Sequence, residues 1–577
     1  MVCRQKELGS EYATYLIPRF PWAAGTWFHL GMIPCVIHED EHLLVVSKPA
    51  GWNTHAPGPF AGEGIYDWLK HRDSRWSSLS ILHRLDKETS GVLVFGKTPA
   101  ANRSLTQQFT DRRIRKKYFL LTDRTPPPLP FAVKTPLVRI GDRYAGGAGG
   151  ESAETLFTPI PDGSPDGSPD GPPDRSIAAS CPGSQGLIAE PLTGRTHQIR
   201  VHAAESGFPI LGDTLYGGTA AARVFLHAAE ISFTHPGTGA AVTFSAPAGF
   251  EADPRQALRT ALIDPDATNA FRLIHGASDG WPGWFVEKLG DFLLSQSDAP
   301  LNARQSVELC RLAKGFASYG AYHKILSRQV RRSTPTLVSP TRVFGTEAPD
   351  RFEILENGLR FELSFQEGYS VGLFLDQRDN RRRLLTGQIG AEFPLAAPGT
   401  LEARPEILNT FAYTCGFSVC AAAAGARTTS LDLSKKYLEW GQRNFARNGL
   451  DPAAHDFIYG DTFDWLRRLA KKGRAFDAIV LDPPTFSQSK EHGAFRAEKD
   501  YGRLVTAALP VLKPGGVLLA STNAADWPPE DFLAAVEGAI HGAQRKIRQR
   551  HYVPQPPDFP IHRDAPAYLK TVWLKTD

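Results

Sequence analysis

Two short polar segments, about a hundred residues apart, carry the side chains with the most evident chemistry in the first half of the chain. Residues 83–91 read HRLDKETSG, which places Asp86 among basic neighbours and ahead of a Thr-Ser-Gly turn. Residues 194–202 read GRTHQIRVH, and we predict a strand with two arginines there. A lone aspartate is usually a turn or capping residue. The functional interpretation of Asp86 therefore depends on the presence of the second segment.

Candidate residues in the second half follow short apolar strands. Residues 409–418, NTFAYTCGFS, form a small-residue turn, which lets a cofactor approach the backbone and the next helix N-terminus. Asp432 ends the next strand, where a carboxylate can accept hydrogen bonds from a ribose diol. Asp461 follows a third strand, with a helix cap as the alternative role. Asp482 opens the sequence DPPTF after a fourth strand.

The elements that position these residues alternate in type. Short apolar stretches at 407–411, 428–433 and 478–481 predict strands, and 436–447 predicts a helix between two of them. That alternation is typical of a doubly wound, mostly parallel Rossmann-like sheet. Before it, residues 271–284 predict strand, turn and strand, and 304–316 predict a helix. These elements indicate a small α+β unit.

Composition limits the class of protein. A chain of 577 residues suggests three or four domains, and 42% hydrophobic with 22% charged residues is ordinary for a globular protein. The six cysteines include no CxxC pair, which fits a reducing cytoplasm, and we predict no metal site. No stretch is typical of a signal peptide or a membrane span. The net charge of +4 means that local basic clusters must carry any nucleic-acid binding.

The first half resembles the RluA-type pseudouridine synthases, over roughly residues 33–250. Besides the two motifs, the resemblance rests on EDEHLLVVSKPAG at 39–51, ILGD at 210–213, LHA at 226–228 and HP at 235–236. It implies a mixed antiparallel sheet and isomerisation of uridine in RNA without a cofactor. Asp86 would attack the sugar C1′ or act through a glycal, and these routes stay open.

The resemblance also implies roles for three further residues. Arg84 would fill the space left by the flipped base. Tyr118 would stack on the uracil and assist deprotonation at C5. Arg195 would favour the ionised Asp86 carboxylate. The basic run 112–117, RRIRKK, adjoins this proposed site, so we expect it to contact the RNA backbone.

The second half resembles class I S-adenosylmethionine-dependent methyltransferases, and more narrowly the large-subunit ribosomal RNA enzymes of the RlmI and RlmK type. FLDQRDNR at 374–381, DFP at 558–560 and YLK at 568–570 support the narrower resemblance. It implies that Asp482 and Pro483 wall the pocket where the methyl acceptor meets the sulfonium. The cofactor-binding residues that it implies are Asn409, Phe411, Tyr413, Gly416, Asp432, Asp461, Asp482, Gln377 and Arg378.

The strand near residues 520–523, ASTN, bears on the methylated atom. Methylation of cytosine C5 needs a cysteine thiolate, because C5 is not nucleophilic until the thiolate adds to C6. This strand contains no cysteine, and Cys415 and Cys420 lie near the cofactor turn instead. It resembles the Ser-Asn-Asn of the type that methylates guanine N7. We therefore expect a nitrogen acceptor, with cytosine C5 as the alternative.

The predicted organisation has five parts. They are an extension at 1–32, a synthase domain at 33–250 with a disordered Ser-Pro-Asp-Gly insert at about 161–186, a linker at 251–267, a small domain at 268–350, and the methyltransferase domain at 351–577. The proline-rich boundary predicts that 1–250 and 268–577 fold separately. We expect 23S rRNA or a pre-ribosomal particle as the partner, and the sequence leaves the oligomeric state open. The alternative class is a non-catalytic RNA-binding assembly factor.

Overall fold

The computed structural model of the chain describes residues 33–160, 183–326, 339–367, 370–396, 404–489, 493–562 and 565–577. The predicted extension at 1–32 lies outside the described residues, as does 161–182 of the predicted insert. The last two residues of that insert, Gln185 and Gly186, already belong to a strand.

A mixed sheet of ten strands forms the first half. The first five are β1 (Val36–Glu39), β2 (Leu43–Lys48), β3 (Ser80–Ile81), β4 (Ser90–Gly96) and β5 (Arg115–Thr122), and β6 (Phe131–Val133) follows. A separate hairpin, β7 (Leu137–Ile140) and β8 (Arg143–Gly146), precedes β9 (Thr155–Pro159), β10 (Gln185–Pro191), β11 (Leu226–Thr234) and β12 (Ala241–Ser245). The main path runs β1-β2-β4-β11-β5-β10-β9-β6, with β3 on β4 and β12 on β11. Antiparallel pairs dominate, as predicted, and β4 pairs with β11 in parallel.

Helices α1 (Ile65–Lys70), α2 (Pro99–Thr110) and α3 (Gln198–Glu205) pack on this sheet. The second motif was predicted as a strand, and this is wrong because most of it is α3. One helical turn brings Gln198 and His202 to the same side chain, Thr155, with which each forms a 2.9 Å hydrogen bond. In a strand, Arg200 would share that face. In α3 the Arg200 side chain points away from Thr155 and toward Asp213.

The small unit follows helix α4 (Pro254–Leu262). Its sheet has the order β13 (Ala270–His275), β14 (Trp284–Leu289), β15 (Phe292–Ser297), β16 (Gly320–Ile325) and β17 (Thr341–Gly345). Helix α5 (Ala303–Gly315) connects the parallel pair β15 and β16. The predicted strand-turn-strand and helix are therefore confirmed here.

The region predicted as the methyltransferase domain begins with the hairpin of β18 (Phe352–Glu356) and β19 (Leu359–Leu363). After helix α6 (Arg378–Thr386), a second hairpin consists of β20 (Gln388–Gly390) and β21 (Phe393–Pro394). Its main strands are β22 (Glu406–Thr410), β23 (Arg427–Asp432), β24 (Asp456–Tyr459), β25 (Phe476–Leu481), β28 (Leu512–Thr522), β29 (Ile547–Val553) and β30 (Lys570–Thr576), with a small hairpin of β26 (Phe486–Ser489) and β27 (Gly493–Arg496). The helices are α7 (Gly416–Ala423), α8 (Lys435–Arg447), α9 (Thr462–Lys471), α10 (Ala497–Ala508) and α11 (Pro529–Gly542).

The order of the main sheet is β24-β23-β22-β25-β28-β30-β29, and β30 alone among these strands runs antiparallel to its neighbours, β28 and β29. This confirms the predicted doubly wound sheet. The carboxyl ends of its parallel strands meet at one edge, where the candidate acidic residues follow β23, β24 and β25. Among the described residues, no helix is both long and apolar enough to cross a membrane.

The segment predicted as a linker, 251–267, contains helix α4 and packs into the protein. Leu258 and Leu262 join one buried cluster with Trp68 of the first half and Phe271 of the small unit. Arg259 is fully buried and bonds Asp279 at 2.6 Å. The prediction of two separately folding halves therefore conflicts with this packing, because a cut here would expose part of a shared core. The individual domain boundaries remain predictions.

Candidate active sites

Asp86 lies in a loop whose backbone is held by buried polar side chains. Thr54 Oγ1 donates to the Leu85 carbonyl at 2.8 Å and accepts from the Leu85 N–H at 3.1 Å. The Lys48 ammonium, fully buried, donates to the Trp52 carbonyl at 2.7 Å and the Lys87 carbonyl at 3.2 Å. Burial lowers the pKa of Lys48 to about 7, although the Glu88 and Asp86 carboxylates oppose that shift. The loop is thus fixed on both sides of Asp86.

Glycine is required where this loop enters β4. Gly91 has a φ of 118°, and a Cβ atom there would lie 2.2 Å from the Ala228 carbonyl oxygen of β11. The Thr-Ser-Gly turn therefore permits the close parallel pairing of β4 and β11 that follows Asp86.

Arg200, and not Arg195, is the arginine beside Asp86. The Arg200 guanidinium lies 3.5 Å from Asp86 Oδ2 and donates twice to the buried Asp213 carboxylate, both at 2.7 Å. Only 4% of its side chain is exposed. Asp213 further raises the pKa of Arg200, so the guanidinium remains charged. Arg200 is therefore a fixed positive charge facing the candidate reacting carboxylate.

Arg195 was expected in that role, and the structure places its side chain elsewhere. Its guanidinium pairs with Glu151 and donates to the Ser152 carbonyl at 3.2 Å. Its side chain is 41% exposed, against 69% for Glu151. Arg195 precedes α3, so its direction is not set by the helix that aims Arg200 at Asp86.

A histidine also approaches Asp86. His197 precedes α3 in a left-handed conformation, with a φ of 57°. Its Nε2 lies 3.8 Å from Asp86 Oδ2, while its Nδ1 forms a 2.7 Å hydrogen bond with the Tyr216 hydroxyl. Burial lowers the pKa of His197, while Asp86 opposes that shift. A non-glycine residue in this conformation is uncommon and is often found at functional sites.

These residues line one cleft of about 1050 Å³. Its lining includes Arg84, Asp86, Tyr118, Arg195, His197 and Arg200. Arg84 is exposed at this cleft. Burial and the Asp86 charge raise the pKa of Tyr118 above its ordinary value, so its phenol stays neutral. A neutral phenol is suited to stacking on a base and is a poor proton acceptor.

Part of the basic run 112–117 reaches the same cleft. Arg112 and Lys116 line it. Burial lowers the pKa of Lys116 to about 8, and its ammonium lies 3.4 Å from the Thr193 carbonyl. Lys117 instead pairs with Glu230 at 3.0 Å. The positive charge at the cleft favours a polyanion such as RNA.

In the second half, the turn after β22 has an unusual backbone. Phe411, Tyr413 and Cys415 all have positive φ, between 49° and 63°, although none is glycine. The Tyr413 N–H donates to Asp432 Oδ2 at 2.8 Å, and the Ser434 N–H donates to Asp432 Oδ1 at the same distance. A carboxylate has about four acceptor positions, so Asp432 can still accept ribose hydroxyls. The turn and Asp432 therefore fit an adenosine moiety.

Other predicted cofactor residues are placed around this turn in supporting positions. Asn409 is buried, and its side-chain amide donates to Ser418 Oγ at 2.9 Å. A Cβ atom on Gly416 would lie 2.9 Å from Leu373 Cδ1, so glycine there permits packing. Asp461 caps α9, accepting from the Phe463 and Asp464 N–H groups. This agrees with the helix-cap alternative for Asp461.

Asp482 lies at the end of β25, beside β28. Gln377 Nε2 donates to Asp482 Oδ1 at 3.2 Å and to Ser521 Oγ at 2.7 Å. Burial, aided by the negative charge of Asp376, raises the pKa of Asp482 to about 7. Asp376 in turn accepts from the Tyr568 hydroxyl at 2.8 Å. Pro483, which follows Asp482, is buried.

Arg378 was expected to bind the cofactor, and the structure places it differently. Its guanidinium donates to both carboxylate oxygens of Asp558, at 3.0 and 2.5 Å. Asp558 also accepts from the Arg272 N–H at 3.0 Å. Arg378 therefore joins α6 to the C-terminal segment and to the small unit. Gln377, its neighbour, points to Asp482.

Several residues at these sites were missed from the sequence. They are Lys48, Thr54, His197, Arg200, Asp213, Asp376 and Ser521. Arg200 and His197 belong to the recognised motif GRTHQIRVH, so the motif was a signal for them. Asp213 lies in the ILGD segment of 210–213, and its side chain fixes Arg200. Asp376 likewise belongs to the recognised segment FLDQRDNR, whereas Thr54 carried no signal, because its partner Leu85 is distant in sequence.

Comparison with known proteins supports the resemblance of each half to its family. A family model described as S-adenosylmethionine-dependent methyltransferase matches residues 272–575, and one described as RNA pseudouridylate synthase matches residues 42–205. A ribosomal RNA large subunit methyltransferase of Deinococcus radiodurans is 33% identical over 337 residues, which are 56% of this chain and 78% of that protein.

Two further matches cover the same region. Ribosomal RNA large subunit methyltransferase I of Klebsiella pneumoniae strain 342 is 32% identical, over 55% of this chain and 76% of that protein. The crystal structure of SMU.776, described as a methyltransferase complexed with SAH, is 30% identical, with a TM-score of 0.46, over 54% of this chain and 76% of that one.

The chain belongs to the S-adenosylmethionine-dependent methyltransferase family, because the matching model spans more than half of it. Its first half contains an RNA pseudouridylate synthase domain. The protein is thus an enzyme with two activities on one polypeptide, and S-adenosylmethionine is the cofactor of the second.

Proposed function

We propose that the first half isomerises uridine in RNA with Asp86 as the catalytic carboxylate. The bond between N1 and C1′ breaks, the uracil rotates, and C5 bonds to C1′. A proton leaves C5 and N1 is protonated, so the reaction needs no redox partner. The single observation that supports this proposal best is the fixed Asp86–Arg200–Asp213 arrangement within the cleft.

The other cleft residues act on the base and the backbone. Arg84 is exposed and enters the space that the flipped uridine leaves. Tyr118 stacks on the uracil, and its neutral phenol argues against the role of base at C5. Arg112 and Lys116 contact the phosphates. The resemblance implies the roles of Arg84 and Tyr118, and exposure and charge at the cleft support them.

The test replaces Asp86→Asn, which keeps the shape and removes the charge. Pseudouridine formation should be abolished while RNA binding persists. Glu88→Gln is the matched control, since this neighbouring carboxylate is 3.8 Å from Arg200 and 45% exposed. It should retain most activity. Undiminished isomerisation by Asp86→Asn would exclude this role for Asp86.

We further propose that the second half methylates a nitrogen of large-subunit ribosomal RNA, with guanine N7 as the leading candidate. The relatives of Deinococcus radiodurans and Klebsiella pneumoniae support the class of RNA. The cofactor supplies an electrophilic methyl group on its sulfonium. Asp432 holds the ribose, and Asp482 and Pro483 form the wall against which the acceptor base is oriented.

The residues near the methyl-acceptor pocket support a nitrogen acceptor. Strand β28 ends with Ser521 and Thr522, and no thiol lies there. Burial raises the pKa of Cys415 to about 12 and that of Cys420 above its ordinary value, so neither forms the thiolate that C5 chemistry requires. Guanine N7 has a lone pair and needs positioning only.

The test incubates the full chain with unmodified 23S rRNA and labelled S-adenosylmethionine, then digests the RNA to nucleosides. The expected product is 7-methylguanosine. RNA containing 5-fluorocytosine should form no covalent adduct with the protein. Recovery of 5-methylcytidine, or a stable adduct, would overturn the nitrogen assignment.

A further inference from the structure

Residues 53–64, here called the bridging loop, contact both enzymatic halves. Asn53, Thr54, His55 and Pro57 line the cleft that contains Asp86. Phe60, further along the same loop, packs against a hydrophobic cluster of the methyltransferase region. One short segment therefore spans the distance from the synthase cleft to the second enzyme.

On the synthase side, the bridging loop holds the residue before Asp86. The two hydrogen bonds between Thr54 Oγ1 and the Leu85 backbone are both buried. Any displacement of Thr54 would therefore be transmitted to Leu85 and to the Asp86 carboxylate. That carboxylate must stay 3.5 Å from Arg200, which is fixed independently by Asp213.

The loop itself is closed and stiff. The Ile65 N–H donates to the Asn53 carbonyl and the Tyr66 N–H to the Thr54 carbonyl, both at 3.0 Å. The Asp67 carboxylate accepts from the Ala56 and Gly64 N–H groups. A Cβ atom on Gly64 would lie 2.4 Å from His55 Cα, so the two ends of the loop touch. These contacts hold the loop against α1.

On the methyltransferase side, β29 supports this unit. The Phe60 ring meets the Tyr552 ring edge to face, with centroids 5.0 Å apart. The His71 ring, just after α1, lies 4.3 Å from the His551 ring, and His71 Nδ1 accepts from the Ala391 N–H at 2.9 Å.

Helix α6 adds polar contacts. Trp68 Nε1 donates to Asp379 at 3.2 Å, and Arg72 pairs with Asp379 at 3.4 Å. Arg382 donates to the Arg72 carbonyl at 2.6 Å. These bonds and the ring contacts tie α1 and the bridging loop to the methyltransferase.

We propose that the methyltransferase half is part of the synthase machinery, and that Phe60 is a positioning residue for uridine isomerisation. Phe60 packs against Tyr552 and so holds the bridging loop in place. The hydrogen bonds of Thr54 to the Leu85 backbone in turn hold Asp86. This inference rests on the proposed isomerisation at Asp86. It assigns the second enzyme a mechanical role in the first, independent of methyl transfer.

The test uses the full chain with Phe60→Ala. Because small misplacements of a reacting group are costly, we expect kcat for pseudouridine formation to fall about ten- to hundredfold, with KM for RNA changed little. Binding of S-adenosylmethionine should be unchanged. Phe60→Tyr keeps the ring and should restore kcat.

Phe244→Ala is the matched control, since this partly buried ring of β12 packs against the synthase core away from the bridging loop. The Phe244→Ala variant should have a lower free energy of unfolding and an unchanged kcat.

A second variant approaches the contact from the other half. Tyr552→Ala should lower the pseudouridine kcat as Phe60→Ala does, and the double variant should be no slower than either single variant. Wild-type kcat in Phe60→Ala would overturn the inference, as would additive losses in the double variant. An inactive wild-type chain would instead refute the proposed isomerisation, so the two failures are distinguishable.

Discussion

Replacement of Arg200 tests the geometry of the synthase site most directly. Its guanidinium lies 3.5 Å from Asp86 Oδ2, with 4% of the Arg200 side chain and 24% of the Asp86 side chain exposed. Two unit charges at that distance attract by about 4.7 kcal/mol at an effective dielectric constant of about 20. Because Asp86 is partly exposed, we take roughly half, about 2–3 kcal/mol. Only the part of this attraction that strengthens in the transition state affects the rate, so the loss of kcat/KM should be at most about 30- to 160-fold.

The substitution must not leave Asp213 without a partner. Arg200→Met alone would strand its buried carboxylate, at a cost of about 3–5 kcal/mol in the free energy of unfolding. Arg200→Met is therefore combined with Asp213→Asn. Arg195→Met is the control: its pair with Glu151 is exposed and contributes about 0–1 kcal/mol, so the loss should stay below about fivefold.

The assay follows release of tritium from RNA labelled at uridine C5, with thermal unfolding measured on each variant. We expect the Arg200 variant to remain folded and to lose most of its activity, and Arg195→Met to remain close to wild type. If Arg195→Met lost as much activity as the Arg200 variant, with both proteins folded, the assignment of Arg200 would be wrong.

Two further predictions concern the methyltransferase half. Asp432→Ala removes a charged acceptor worth about 1.5–3 kcal/mol, so titration calorimetry should show about 10- to 150-fold weaker binding of S-adenosylmethionine; unchanged affinity would contradict the ribose role. Burial and Asp376 raise the pKa of Asp482 to about 7, so the folded state keeps a proton that the unfolded chain releases above about pH 4, and the free energy of unfolding should fall from pH 4 to pH 7 by up to about 4 kcal/mol. Asp482→Asn should flatten the Tm profile over that range and raise Tm at pH 8, whereas an unaltered profile would refute the shift.

Local pattern was sufficient to predict the sheet of the second half and the place of its acidic residues. Strands β22, β23 and β25 are short apolar runs, and parallel strands place their carboxyl ends at one edge. Asp432, Asp461 and Asp482 each follow such a strand, so the sequence alone indicated that they gather there. The resemblance to the RluA-type pseudouridine synthases likewise implied that Asp86 faces the second motif.

The sequence could not determine which arginine faces Asp86. Arg195 and Arg200 belong to one motif, and that motif was predicted as a strand. Only the tertiary structure supplies Thr155, Asp213 and the sheet against which residues 198–205 become a helix, and that helix aims Arg200 inward. Burial of a charged side chain depends on a partner from another element, which local sequence does not contain.

The same reason explains Arg378 and the predicted linker. Arg378 is held by Asp558, 180 residues away in sequence. Helix α4 shares one buried cluster with Trp68 and Phe271, although the prolines around this segment predicted a domain boundary. Local sequence therefore determined the chemistry that each half carries. Long-range packing decided which side chains meet, and it joined the two halves through one core and the bridging loop, because burial and charge pairing are properties of the assembled chain.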